Sequence, residues 1–132
     1  MEDKSPMYIT RATIESFITK LSLPDLGPYS QDWEIESADS SRVLEFITFY
    51  ENHSFTEDEK FGLMALIIAS YDDFISEGNE PDFVWGKIRY YLTQDFVIHK
   101  NTILYWVLED NDLDDCFAIT PLMREVLASM NK

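Results

Sequence analysis

Five carboxylates fall within seven residues in the run Glu109-Asp110-Asn111-Asp112-Leu113-Asp114-Asp115, and the alternation of Asp110, Asp112 and Asp114 has the outline of a calcium loop. The outline fails on spacing. With Asp110 in the first ligand position, the sixth is Asp115 where the turn needs a glycine, and the twelfth is Pro121 where a bidentate glutamate is needed. A second acidic group, Asp72, Asp73, Glu77, Glu80 and Asp82, lies where one helix is expected to end and the next to begin. Paired carboxylates can serve as general acid and base, but a glycosidase also needs a sugar-sized cleft, which a short helical chain seldom builds. His53 sits in an expected helix break and His99 beside Lys100 ahead of an expected helix, so both are read as capping or surface residues. Neither belongs to a metal-ligand spacing or to a Ser, His, Asp arrangement. Gly27, Gly62, Gly78 and Gly86 stand too far apart to form a phosphate loop. The expectation is a protein without catalytic residues, metal or cofactor, whose carboxylates act through charge.

The elements that carry these acids can be read from apolar spacing and caps. Thr10 is an N-cap candidate ahead of Ile14, Phe17, Ile18 and Leu21, and Pro24 with Gly27-Pro28 should stop that helix. Residues 24–39 read as a loop anchored by Trp33, since an isolated extended piece there would be marginal. A second helix should begin near Ser40 or Ser41 and end at His53-Ser54, with Val43, Leu44, Phe46, Ile47 and Tyr50 apolar along it. Thr56-Glu57-Asp58-Glu59 has the form of a capping box, so a third helix starts there. Phe61, Met64, Ile67, Ile68, Tyr71, Phe74 and Ile75 make its apolar stripe, and Gly78 stands where a left-handed cap belongs. A fourth helix follows Glu80-Pro81-Asp82, a fifth should run from about Lys100 to Glu109, and the last opens at Thr120-Pro121. The expected fold is all-α, about six helices in one domain over residues 1–132, as a compact bundle or a short stack of helical hairpins.

Charge narrows the function further. The chain has 25 acidic and 10 basic side chains, a formal charge of -15, together with nineteen aromatic residues. That aromatic content supports a packed core, so the charge must lie on the surface of a folded protein. Residues 1–30 hold four acids and three bases while residues 31–132 hold 21 acids and seven bases, which places the acidity in the body of the domain. Such a field repels nucleic acid and phospholipid and attracts basic proteins. The start Met1-Glu2-Asp3-Lys4-Ser5-Pro6 has neither the basic residues nor the apolar stretch of a secretory signal, and the longest apolar run, Phe61 to Ala69, is too short for a bilayer, so a cytoplasmic location is expected. Cys116 stands alone, which excludes an intramolecular disulfide, and reads as a small core residue.

In charge, size and helicity the chain resembles the immunity proteins that bacteria pair with toxins of the colicin and contact-dependent types. The pair Tyr90-Tyr91 is similar to the tandem tyrosines of colicin-nuclease immunity proteins, although it lies in an apolar helical segment and lacks the following proline. The resemblance implies an inhibitor whose acidic surface imitates a phosphate backbone and occludes a basic toxin, expected to be a nuclease. The residues expected to meet such a partner are Asp72, Asp73, Glu77, Glu80, Asp82, Glu109, Asp110, Asp112, Asp114 and Asp115, with Tyr90 and the loop residue Trp33 as aromatic anchors. The alternative is an acidic helical adaptor or regulatory subunit, with homo-oligomerisation left open, in which the charge confers solubility.

Overall fold

The computed structural model describes residues 6, 8–24, 33–108, 112 and 116–130. Among them are seven α-helices and no strand: α1 (Arg11–Lys20), α2 (Trp33–Glu36), α3 (Val43–Asn52), α4 (Glu57–Ser76), α5 (Phe83–Gln94), α6 (Phe96–Val107) and α7 (Thr120–Met130). The fold is all-α, as the periodicity implies. α4 is the axis of the bundle, and α1, α2, α3 and α6 all pack on it, while α7 lies against α6 and α5.

Local chemistry starts α1 and α4 where the sequence implies. Thr10 accepts from the Thr13 amide at 3.2 Å, and at α4 both bonds of the capping box are made, Thr56 to the Glu59 amide and Glu59 to the Thr56 amide. Gly78 has φ +98° and ends α4, as its position predicts. α1 stops earlier than the prolines suggest: Ser22 takes a left-handed conformation (φ 54°) and the Leu23 amide reaches back to the Ile18 carbonyl at 3.0 Å, closing a Schellman motif.

α4 departs from a one-sided stripe, because every residue from Phe61 to Tyr71 is buried. Four helices surround it, so its small residues face neighbours as closely as its large ones do. Gly62 shows why: a Cβ there would stand 2.9 Å from Thr13 Cγ2 and 3.2 Å from Ile9 Cγ2, so only glycine lets α1 cross so near. Phe17 is fully buried among Trp33, Phe49 and Phe55, with ring centroids 6.0–6.4 Å away. Burial on that scale contributes roughly 1.5–3 kcal/mol per large apolar side chain.

Three expectations are corrected here. Trp33 is no loop anchor at an interface: it opens the single turn of α2, is 2% exposed and stacks on Phe17. Its apolar ring gains more from the core than a surface position would give it. The helix expected from Lys100 begins at Phe96, separated from α5 only by Asp95, whose backbone (φ -107°, ψ 35°) makes the bend. The Asp95 carboxylate accepts from the Tyr50 hydroxyl at 2.7 Å and pairs with Lys60 at 3.7 Å, so side-chain bonds hold the break where no glycine or proline stands.

His99 consequently lies inside α6, fully buried, instead of on the surface. Tyr50 Oη is 2.8 Å from His99 Nε2. Because that hydroxyl already donates to Asp95, the ring must donate through Nε2–H, leaving Nδ1 as a buried acceptor without a partner among the described residues. Burial holds the His99 pKa down at about 4 and pushes the Tyr50 hydroxyl far up. A His, Tyr, Asp chain of this kind has the parts of a proton relay, but His99 is fully buried and Tyr50 nearly so. Its role is to tie α3, the bend and α6 together.

Candidate functional site

The described acids converge at the end of α4 and the start of α5. Along the last turns of α4 burial fades, from fully buried Tyr71 through half-buried Asp72 and Asp73 to exposed Ser76 and Glu77. Asp73 and Glu77 are four residues apart on one helix face, a spacing at which like charges repel. The Asp73 carboxyl is held above its ordinary value by burial first and by the Glu77 charge second. Glu77 accepts from the Ser40 hydroxyl at 2.8 and 3.0 Å. Both carboxylates also stand at the negative end of the α4 dipole, which disfavours them.

Asp72 and Asp82 have structural duties as well as charge. Asp72, expected to meet a partner, is half-buried and accepts from the Ile119 amide at 3.0 Å, fixing the approach to α7 against α4. Burial raises its carboxyl, the Ile119 amide opposes that shift, and the Asp73 charge adds to it. Asp82 caps α5 by accepting from the Val84 amide at 3.1 Å and also receives the Tyr71 hydroxyl at 3.0 Å. The Asp82 amide donates back to the same hydroxyl, and burial pushes Tyr71 up to about 12. This reciprocal lock sets the angle at which α5 leaves α4. Glu80 is exposed in the link between them.

None of these five carboxylates enters an ion pair among the described residues. The pairs that do form, Arg11–Glu15, Lys20–Glu59, Arg42–Glu45, Lys60–Asp95 and Lys87–Glu51, draw on other acids. The end of α4 is therefore a concentration of negative charge held in place by neutral donors. Such a surface can attract and orient a cationic group; no group of three or more His, Cys, Asp or Glu suited to a metal ion occurs among the described residues.

Tyr90 is 55% exposed and packs edge-on against Tyr91, with centroids 5.0 Å apart. It is on the surface, as its position beside the stripe implies. Phe83 was missed. It is 66% exposed immediately after the Asp82 cap and two turns before Tyr90 on α5. The signal was available, because Phe83 falls outside the Val84, Ile88, Leu92 series that α5 buries.

The second acidic run is only partly in view. Asp112 is exposed, while Glu109, Asp110, Asp114 and Asp115 lie outside the described residues. The helix end that precedes them is visible, and it meets a cation. Arg124, from α7, donates to the Val107 carbonyl at 2.7 Å and to the Leu108 carbonyl at 2.5 Å, and the Thr120 hydroxyl donates to the Trp106 carbonyl at 2.7 Å. Half-buried Cys116 lies 3.6 Å from the same guanidinium. α4 and α6 are packed neighbours.

Compared with protein-family models, with curated proteins and with solved structures, the chain matches none. Among the described residues no helix is long and apolar enough to cross a membrane.

Proposed function

We propose that this protein is a non-enzymatic binder of a basic protein, an inhibitor of the immunity type that occludes a cationic toxin surface. The observation that carries the reading is the set of Asp72, Asp73, Glu77, Glu80 and Asp82, spread from the last turns of α4 to the N-cap of α5 without an ion pair among the described residues. Self-repulsion there opposes stability, and local features that oppose stability are most often found at functional sites. The lysines and arginines of a partner would remove the repulsion, and the long-range field of a chain with formal charge -15 would hasten their arrival. Phe83 and Tyr90 stand close by as apolar anchors that slow dissociation.

The test is a pull-down from the native host at low salt, eluted with a salt gradient, using the wild type and an Asp73→Asn, Glu77→Gln, Glu80→Gln variant. One basic protein held by the wild type and released early by the variant supports the reading, and its activity then tests inhibition. Equal retention by both would remove the acidic end from the interface. The exposure of Phe83, Tyr90 and Val97 on consecutive helices favours a second reading, an adaptor or regulatory subunit with an apolar interface. In that case binding would survive high salt and fail on Phe83→Ser.

A further inference from the structure

α5 contains a glycine that the fold does not explain. Gly86 stands inside a helix of 12 residues and is exposed, and a Cβ added there would meet no other element within 4 Å among the described residues. Its φ lies outside the left-handed region, so neither crowding nor backbone conformation requires glycine. A glycine in a helix interior costs about 0.5–1 kcal/mol relative to alanine. The helical repeat sets Phe83, three residues before, and Tyr90, four after, on the same face, where they are 66% and 55% exposed. Two rings about 10 Å apart along the axis thus flank a notch that carries no side chain.

Charge along this face has a direction. Glu80 is exposed in the link that leads into α5 and Asp82 caps the helix, so its N-terminal end is acidic. From Phe83 to Leu108 the one acid is Asp95, held by Tyr50 and Lys60, against the three bases Lys87, Arg89 and Lys100. Lys87 is drawn aside to Glu51 at 3.0 Å, whereas Arg89 is exposed and enters no ion pair among the described residues. A uniformly basic partner would suit Glu80 and be repelled at Arg89, and an acidic one would do the reverse. A second copy of the chain laid antiparallel satisfies both, because two-fold symmetry sets the acidic end of each α5 beside the basic half of the other. The midpoint of Phe83 and Tyr90 falls between Gly86 and Lys87, so an axis there passes the notch and brings each Phe83 towards the second copy's Tyr90.

We propose that this protein forms a two-fold homodimer through α5, packed antiparallel with Gly86 at the crossing, Phe83 against the second copy's Tyr90 and Arg89 facing the second copy's acidic link at Glu80. The missing side chain at the crossing lets the two axes approach closely enough for the four rings to close over it. The dimer does not rest on the reading of the acidic end as a toxin contact. A partner that anchors on Phe83 and Tyr90 would displace the second copy, so the dimer is the form of the chain without its partner.

The purified chain alone is measured, so failure here leaves the partner reading standing. Two chains of formal charge -15 repel, and salt at about 0.15 M confines that repulsion to about 8 Å. Sedimentation equilibrium in that salt should show a reversible monomer–dimer transition with a Kd of about 10–100 μM, as befits a contact at the small end of specific interfaces. Gly86→Leu improves helix propensity, so the melting temperature of dilute protein should rise by roughly 3–5 °C while the dimer weakens about tenfold or more. Arg89→Glu should weaken the dimer about tenfold, and adding Glu80→Arg should recover most of that loss, since the pair is remade with its signs exchanged. A wild type still monomeric at about 1 mM would overturn the proposal. Dimerisation of Gly86→Leu as tight as that of the wild type would overturn the crossing, and a double variant no tighter than Arg89→Glu would overturn the antiparallel arrangement.

Discussion

Two helix C-termini in this bundle are followed or occupied by acids, and the structure treats them differently. At the end of α6 the last carbonyls receive the Arg124 guanidinium, so a cation offsets the helix dipole just where an acidic run begins. At the end of α4 the donors are neutral: the Ile119 amide for Asp72, the Ser40 hydroxyl for Glu77, the Val84 amide for Asp82. The first end is finished within the fold. The second carries carboxylates that enter no ion pair among the described residues. One helix end thus receives a cation and the other only neutral donors, a difference that can be tested by measuring stability at each end.

Acidification should produce the largest effect, because His99, buried near the start of α6, takes up a proton on unfolding, while the raised carboxyls at the end of α4 act with opposite sign. His99 has an ordinary pKa of 6.5 and is held at about 4 in the fold, so the unfolded chain takes up a proton that the folded chain refuses. Stability fully present above pH 6.5 is therefore lost between pH 6.5 and 4, by about 3 kcal/mol at the lower limit. Asp72 and Asp73 are held above the ordinary 3.8, so protonation there favours the folded state and returns stability as pH falls through their raised values toward 3.8. Urea titrations across this range should show a falling midpoint in the wild type, a flatter profile in His99→Gln, and a steeper fall in Asp73→Asn. A wild-type profile flat from pH 7 to 4 would contradict the burial of His99.

Next in size is the removal of the finished end. Arg124→Met keeps the apolar stem but leaves the Val107 and Leu108 carbonyls without their donors, at a cost of about 2 kcal/mol. Thermal unfolding should fall by roughly 6–10 °C for a domain of this size. An unchanged midpoint would mean that water replaces the guanidinium at no cost, and the two helix ends would then be alike.

The features legible in the sequence are those decided within four residues of chain. Thr10, Thr56 and Asp82 cap helices because a side-chain oxygen reaches an amide two or three residues on, and Gly78 ends α4 because its own backbone can turn left-handed. Trp33, His99 and the bend at Asp95 were misplaced because distant residues decide them: Phe17 for the indole, Tyr50 for the imidazole, Tyr50 and Lys60 for the carboxylate. The acidic end was legible as composition, whereas its lack of ion pairs among the described residues was not, since pairing depends on which cations the fold brings near. Arg124 gave no local sign of its role, because it acts on carbonyls sixteen and seventeen residues away.

Neutralising the unfinished end should stabilise the protein modestly. The Asp73→Asn, Glu77→Gln, Glu80→Gln variant keeps an acceptor for Ser40 while removing three charges from the negative end of a helix, and its melting temperature should rise by about 1–3 °C. The gain in stability and the loss of partner binding should appear together, as the trade-off between stability and function requires. A lower melting temperature would show that these carboxylates serve the fold.

The smallest effect is the most discriminating. Surface ion pairs are weakened by salt, and clustered like charges are relieved by it, over distances of about 10 Å at 0.1 M. The five ion pairs among the described residues therefore predict destabilisation by added salt, while the acidic end predicts the reverse. Exposed pairs contribute about 0–1 kcal/mol each and many contribute nothing measurable, whereas the repulsion at the end of α4 adds to that of the whole chain. The wild type should gain about 1–2 °C between low and moderate sodium chloride, and the triply neutralised variant less than half of that gain. If both lose stability in parallel, the ion pairs outweigh the cluster, and the acids at the end of α4 carry no strain of their own.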